Sequence, residues 1–193
     1  MKSSKQGIYF YFLSAFAVVS TLSCLAAAPT NTTTPRAAAP RSAVSAGQKA
    51  PSFQAKTVDG KTINFPEDYK GKVVLLDFWA TWCGPCRAEL PKVVAAYNQY
   101  HDKGFEVLSV SLDRPKHGPA LLQFVKDNGM TWPQIYDGQY SKAAVAMQYG
   151  VHGIPCPVLV DGDTGTIIAT DTGALGNKLT RALKPALDAK AKK

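Results

Sequence analysis

Residues 8–28, IYFYFLSAFAVVSTLSCLAAA, form an apolar run without a charged side chain, and Lys2 and Lys5 stand just before it. A basic start followed by such a run predicts a targeting segment. The run is also just long enough to cross a bilayer as one helix, so residues 1–28 read as a signal peptide or as a membrane anchor. Periodicity then stops. Residues 29–46, PTNTTTPRAAAPRSAVSA, are almost wholly Ala, Thr, Pro and Ser. Such a composition buries too little apolar surface to offset the entropy of ordering, and predicts an extended, disordered tether. Patterning resumes near Gly47, which places one domain over residues 47–193.

Within that domain strand and helix patterns alternate. FQAKTVDGKTINF alternates about the Asp59-Gly60 dipeptide, a hairpin signal. KVVLLDFWA is an apolar run bracketed by charge, as a buried central strand requires. A helix follows over GPCRAELPKVVAAYNQYHDKG, then a second apolar strand, FEVLSVSLD, then helical patterns in GPALLQFVKDNG and YSKAAVAMQYG. The strands CPVLVD and TIIATD come next, and a last helix runs from about Ala174 to Ala189. This order predicts an α/β domain with a mixed central sheet, helices on both faces and an N-terminal β-hairpin extension.

At 193 residues the chain can bury a core without disulfide staples, and a single monomeric domain is expected. The formal charge of +8 includes the two lysines of the leader, which leaves a mildly basic domain. The lysines of KPALDAKAKK suit a solvated helix end that complements the macrodipole, or else an acidic partner or anionic lipid. No zinc-finger spacing, RNP-like run or Arg-rich helix accompanies the charge, so nucleic-acid binding is not expected.

Four cysteines are too few for a disulfide-dense framework, so placement carries the information. Cys24 lies in the leader. Bacterial lipoprotein signals place a small residue before the lipidated cysteine, and TLSC resembles such a site, with Ser23 before Cys24 but Thr21 where Leu is usual. Cys24 is therefore a candidate for lipidation, the alternative being a cysteine in an apolar segment that is discarded or stays in the membrane. Pro29 disfavours cleavage after Ala28 and leaves Ala26 or Ala27. Signal peptide, lipoprotein signal and anchor all export the domain.

Cys83 and Cys86 are two residues apart. Half a zinc site has the same spacing, but no second pair completes four ligands, and Cys156, His101, His117 and His152 are the domain's only other soft donors. Covalent haem attachment needs His after the second cysteine, where Arg87 stands. Neither a metal nor another cofactor is expected. VLLDFWATWCGPC resembles the active-site region of thioredoxins. The ELP after the cysteines, YGVHGIP and VLVD resemble the TlpA/ResA branch of that superfamily, over roughly residues 47–193. The resemblance implies a thioredoxin fold, a redox disulfide between Cys83 and Cys86, protein substrates with disulfides, an upstream membrane electron donor and an extracytoplasmic location. It also implies that Pro155 is cis and faces the redox pair.

Physical chemistry gives the pair its expected asymmetry. A strand entering a helix at WCGPC puts Cys83 at the helix N-terminus, where unpaired N–H groups and the dipole favour a thiolate. Cys83 is thus expected to be exposed and attacking, Cys86 buried and resolving. Pro85 suits the first helical turn, whereas Pro91 lies inside the helix and should kink it. Trp82, Gly84, Pro85, Ile154 and Pro155 are expected to meet the partner. Trp79 reads as packing. Two carboxylates are candidates to take the proton from Cys86: Asp77, at the position of thioredoxin's buried acid, and Glu89, three residues further along the helix and matching the active-site glutamate of the ResA group. An acid inside VVLLDFW is costly to bury without a role; Glu89 has the alternative reading of a surface charge. Cys156 follows Pro155, and strand alternation turns it away from the site, as a buried inert thiol.

Four activities compete. Gly84-Pro85 is the pair of thioredoxin, a reductant, whereas strong oxidants of the DsbA type carry Pro-His, so a protein-disulfide reductase is favoured, with apocytochrome reduction during cytochrome c maturation as one role. An oxidase runs the same chemistry backwards. A Cu(I)-binding module is the third reading, without a Met-rich run to support it. A peroxiredoxin needs Pro-x-x-x-Thr-x-x-Cys, and Leu76 and Ala80 stand at the Pro and Thr places.

Overall fold

The computed structural model describes residues 41–171 and 176–192. Residues 8–28, Cys24 and most of the expected tether lie outside them. Among the described residues no helix is long and apolar enough to cross a membrane.

Strand β3 (Val73–Trp79) is the VVLLDFW run, and all seven residues are buried, as expected of a strand covered on both faces. It lies at the centre of a five-stranded sheet of order β5-β4-β3-β6-β7. β4 (Phe105–Ser111) and β5 (Gln134–Ile135) run parallel to it in turn, and β6 (Cys156–Asp161) and β7 (Thr166–Thr170) add antiparallel. β1 (Phe53–Lys56) and β2 (Thr62–Phe65) form the separate hairpin about Asp59-Gly60. The mixed sheet and hairpin extension are those expected. β5 was not expected: two residues are too few for a period to register.

Both edges of the sheet are covered by N-terminal chain, which removes the exposed edges that invite mispairing. Thr57 bridges Ile135, and the Val58 N–H donates to the Gln134 carbonyl at 2.7 Å, which closes the β5 edge. On the other side Gly47 and Gln48 bond Ile167 on the β7 edge, Gly47 N–H donating to Ile167 O and Ile167 N–H to Gln48 O, each 2.8 Å.

Register fixes which side chains share a face, since paired residues point the same way. Asp77 pairs with Ser109 and Pro157. Ser109 accepts the Trp132 indole N–H at 2.8 Å, and Trp132 packs on Tyr97 at 5.1 Å between ring centroids. Tyr97 belongs to α1 (Gly84–Tyr100), so Asp77 points to the α1 side. Phe78 pairs with Val110 and Cys156 on the opposite face, against Tyr149. α4 (Asn177–Ala191) lies beside α1, with Leu179, Leu183 and Leu187 buried.

Two expectations change. The single helix over 140–150 is a short 3-10 turn, Tyr140–Lys142, then α3 (Ala144–Gln148). Asp137 causes the break, because its carboxylate accepts both the Gln139 N–H and the Ala144 N–H and so caps the second piece. Pro91 lies inside α1, as expected, and that helix continues past it to Tyr100; the second change is at the domain's start. Residues 41–46, read from composition as the tether's end, are tied to the domain: Ala43 N–H donates to Tyr149 O at 3.2 Å, His152 N–H to Arg41 O at 2.8 Å, and Ser42 is buried. Composition detects missing periodicity, but not backbone hydrogen bonds to residues a hundred positions away.

Candidate active site

β3 ends at Trp79, and four residues later Cys83 is the N-cap of α1, in an extended conformation. Its sulfur accepts the Cys86 N–H at 3.2 Å, and its carbonyl takes the Arg87 N–H at 3.1 Å, which starts the helix. Cys83 therefore occupies the place where a helix end favours negative charge. Pro85 sits in the first turn, where its missing N–H costs no bond. Cys83 and Cys86 are joined as a disulfide.

The expected contrast in exposure is absent in this oxidised form. Cys83 is 4 % and Cys86 6 % exposed; bonded sulfurs cover each other, so what distinguishes them is position, one at the cap and one inside the first turn. The loop before Cys83 is held by Asp113, which sequence reading missed. This fully buried carboxylate accepts the Thr81 N–H (3.1 Å) and hydroxyl (2.6 Å) and the Ser111 hydroxyl (2.8 Å). An acid two residues past an apolar strand was the available signal.

Trp82, 49 % exposed, packs on Tyr140 at 5.6 Å, and the Arg114 guanidinium lies 5.3 Å from the Tyr140 ring. Trp82, Tyr140, Leu112 and residues 151–154 line a groove of about 320 Å³ beside the redox pair. Ile154 thus joins Trp82, as expected, while Tyr140 was not foreseen, because its approach depends on the 3-10 turn. The Ile154–Pro155 bond is cis, and Pro155 is buried.

The two candidate carboxylates differ. Burial pushes the Asp77 carboxyl up to about 7, because a charge there loses its hydration. Glu89 is bound by Lys92 at 2.8 Å, its second carboxylate oxygen enclosed near Gly176. Among the described residues neither is hydrogen-bonded to Cys86. Cys156 is fully buried on the face opposite Asp77, and burial raises its thiol to about 12, with nearby Ser42 offsetting this only in part. It is a poor nucleophile. Among the described residues no cluster of three or more His, Cys, Asp or Glu is placed to hold a metal.

Residues 46–170 match the model of the AhpC/TSA family. A thiol-disulfide oxidoreductase ResA of Bacillus thuringiensis is 36 % identical over 117 residues, 61 % of this chain and 64 % of the relative. The chain thus spans somewhat under two thirds of that protein's length. ResA of Geobacillus thermodenitrificans is 34 % identical over 138 residues, 68 % of this chain and 76 % of the relative. Among solved structures, the thioredoxin domain of a thiol-disulfide oxidoreductase from Bacteroides vulgatus superposes with a TM-score of 0.65 at 29 % identity, covering 75 % of this chain and 99 % of that one. With the Cys83–Cys86 disulfide at the head of α1 and a thioredoxin-like sheet behind it, the chain belongs to the AhpC/TSA family of the thioredoxin superfamily, in its ResA-type thiol-disulfide oxidoreductase branch.

Proposed function

We propose that this protein is an extracytoplasmic thiol-disulfide oxidoreductase that reduces disulfides in protein substrates. The observation that carries the reading is Cys83 at the N-cap of α1, disulfide-bonded to Cys86 one turn in. In the reduced protein the Cys83 thiolate attacks one sulfur of a substrate disulfide, forming a mixed disulfide and releasing the other substrate sulfur as a thiolate. The Cys86 thiolate then attacks the Cys83 sulfur, the substrate leaves as a dithiol, and the protein is left oxidised. Two electrons have passed to the substrate, and a dithiol donor, supplied at a membrane, must return them.

Asp77 takes the proton that Cys86 loses: burial holds its carboxyl up at about 7, close to the pH at which it must accept a proton. Glu89 is the second acceptor. Trp82, Gly84, Pro85, Ile154 and Pro155 receive the substrate chain, Trp82 and Ile154 from the groove wall, Gly84 and Pro85 from the exposed head of α1, and Pro155 from the buried cis bond behind them. Export rests on the leader in residues 1–28, as a cleaved signal, a lipoprotein signal with Cys24 lipidated or a membrane anchor, and apocytochrome disulfides are one substrate class. Peroxide reduction is disfavoured, since Leu76 and Ala80, both fully buried, bring no proline or hydroxyl to their places before Cys83.

Gly84-Pro85 favours the reducing direction over the oxidase alternative. Equilibrating the exported domain with glutathione buffers tests this: a potential near that of thioredoxin, about −270 mV, supports a reductase, and one near −120 mV supports an oxidase. Rates against pH for Asp77→Asn, Glu89→Gln and the double variant test the acceptors, and an unchanged profile in the double variant removes them.

A further inference from the structure

We infer that Arg41 is a positioning residue for the partner groove, reaching it from the segment that joins the leader to the domain. The inference rests on the proposed reductase reading and deepens it. Arg41 brackets one wall of the groove. Its carbonyl accepts the His152 N–H at 2.8 Å, and its guanidinium donates to the Pro155 carbonyl at 2.8 Å. Between those two bonds lie Gly153 and Ile154, which with His152 line the groove. The Arg41 side-chain stem packs along the same stretch, its Cγ 4.0 Å from where Gly153 would carry a Cβ.

The strap that delivers Arg41 is fixed at independent points. The Arg41 N–H donates to Asp171 Oδ1 at 3.2 Å, beyond β7. Ala43 N–H donates to Tyr149 O, and Ala43 fills the space over Gly150, where a Cβ would come within 2.5 Å of its own. Ser42 is buried against Cys156. Residues 41–43 therefore hold residues 149–156 from both ends, and that stretch carries the groove wall. Pro155 immediately precedes the Cys156–Phe78 pairing, so it sits level with Trp79 at the mouth from which Cys83 emerges. The chain that ties the domain to its leader shapes the site that receives the substrate.

A small aromatic disulfide needs only the Cys83 sulfur, whereas a polypeptide disulfide also needs the groove. The exported chain beginning at the tether is compared with Arg41→Ala and Arg41→Lys, using insulin and 5,5′-dithiobis(2-nitrobenzoate) as probes, with hydrogen exchange at the His152 amide measured in each. Losing one charged hydrogen bond predicts that Arg41→Ala raises KM for insulin about tenfold with kcat little changed. The rate with the small disulfide should stay within about twofold, and His152 exchange should accelerate. Arg41→Lys, which keeps one donor, should recover much of the insulin loss. Equal losses on both probes, or none on either, overturn the positioning role. Should Arg41→Ala fail to fold, Arg41→Lys decides: an insulin KM raised by less than about tenfold with an unchanged small-disulfide rate supports the role, and parallel changes on both probes, or none on either, refute it. A wild-type protein that reduces neither probe defeats the reductase reading, while faster His152 exchange in Arg41→Ala still verifies the clamp.

Discussion

Replacing Asp77 by Asn should make the oxidised protein's stability less dependent on pH, and the size of the effect follows from burial. Asp77 is 8 % exposed in the middle of β3, and its carboxyl is raised from 3.8 to about 7 by loss of hydration. Below pH 4 the group is protonated in both the folded and unfolded states and contributes no slope. Between pH 4 and 7 the unfolded chain releases its proton while the folded one keeps it, so stability falls as pH rises. Above 7 both forms are ionised and the loss is complete. At about 1.4 kcal/mol per pH unit, a window of roughly three units sets an upper bound of about 4 kcal/mol. Urea denaturation of wild type and Asp77→Asn from pH 4 to 8.5 checks it. The difference between the two curves should grow in favour of the variant up to about pH 7 and then level off. The amide's own cost of burial shifts the difference uniformly and leaves the slope intact. Parallel curves would show that Asp77 is not charged at a cost inside the fold, and would remove it as the proton acceptor.

Gly162→Ala should destabilise by about 3 kcal/mol through overpacking, read as a drop in the urea midpoint, because a Cβ there would overlap the Tyr69 carbonyl oxygen and lie 2.9 Å from that of Lys72. Asp113→Ala leaves the Thr81 N–H and the Ser111 hydroxyl without their acceptor; a loss of about 2–4 kcal/mol and a slower insulin reduction rate are expected, with Asp113→Asn less severe in both. Lys190→Met removes the pairs to Asp161 and Asp163 at 3.0 and 2.8 Å. With both carboxylates partly exposed, the cost should be about 1 kcal/mol or less, and thermal melts in 1 M salt should bring the two proteins closer together.

The parts of the fold legible in sequence were those whose cause is local. The all-apolar run of β3, the Asp-Gly hairpin and the passage from strand into helix at Cys83 each follow from residues within a few positions of one another. The redox pair was legible for the same reason: cap, Pro85 and both cysteines fall within one turn. What sequence did not reveal depends on distant chain. Arg41 is 114 residues from the carbonyl it holds, and nothing in PRAAAPRS distinguishes it from a solvated arginine. Tyr140 reaches Trp82 only because Asp137 interrupts the helix that the apolar pattern suggests. The low exposure of Cys83 is seen in the oxidised form, a state the motif alone does not specify.

The division of labour between Cys83 and Cys86 is tested most directly by a single trapping measurement. Reduced Cys86→Ser and Cys83→Ser proteins are mixed with an oxidised disulfide-containing peptide, and the adducts are mapped by mass spectrometry. Cys86→Ser should accumulate a stable mixed disulfide on Cys83, and Cys83→Ser should form almost none. Adducts on Cys86 in the second variant, with none on Cys83 in the first, would contradict the assignment of Cys83 as the attacking sulfur.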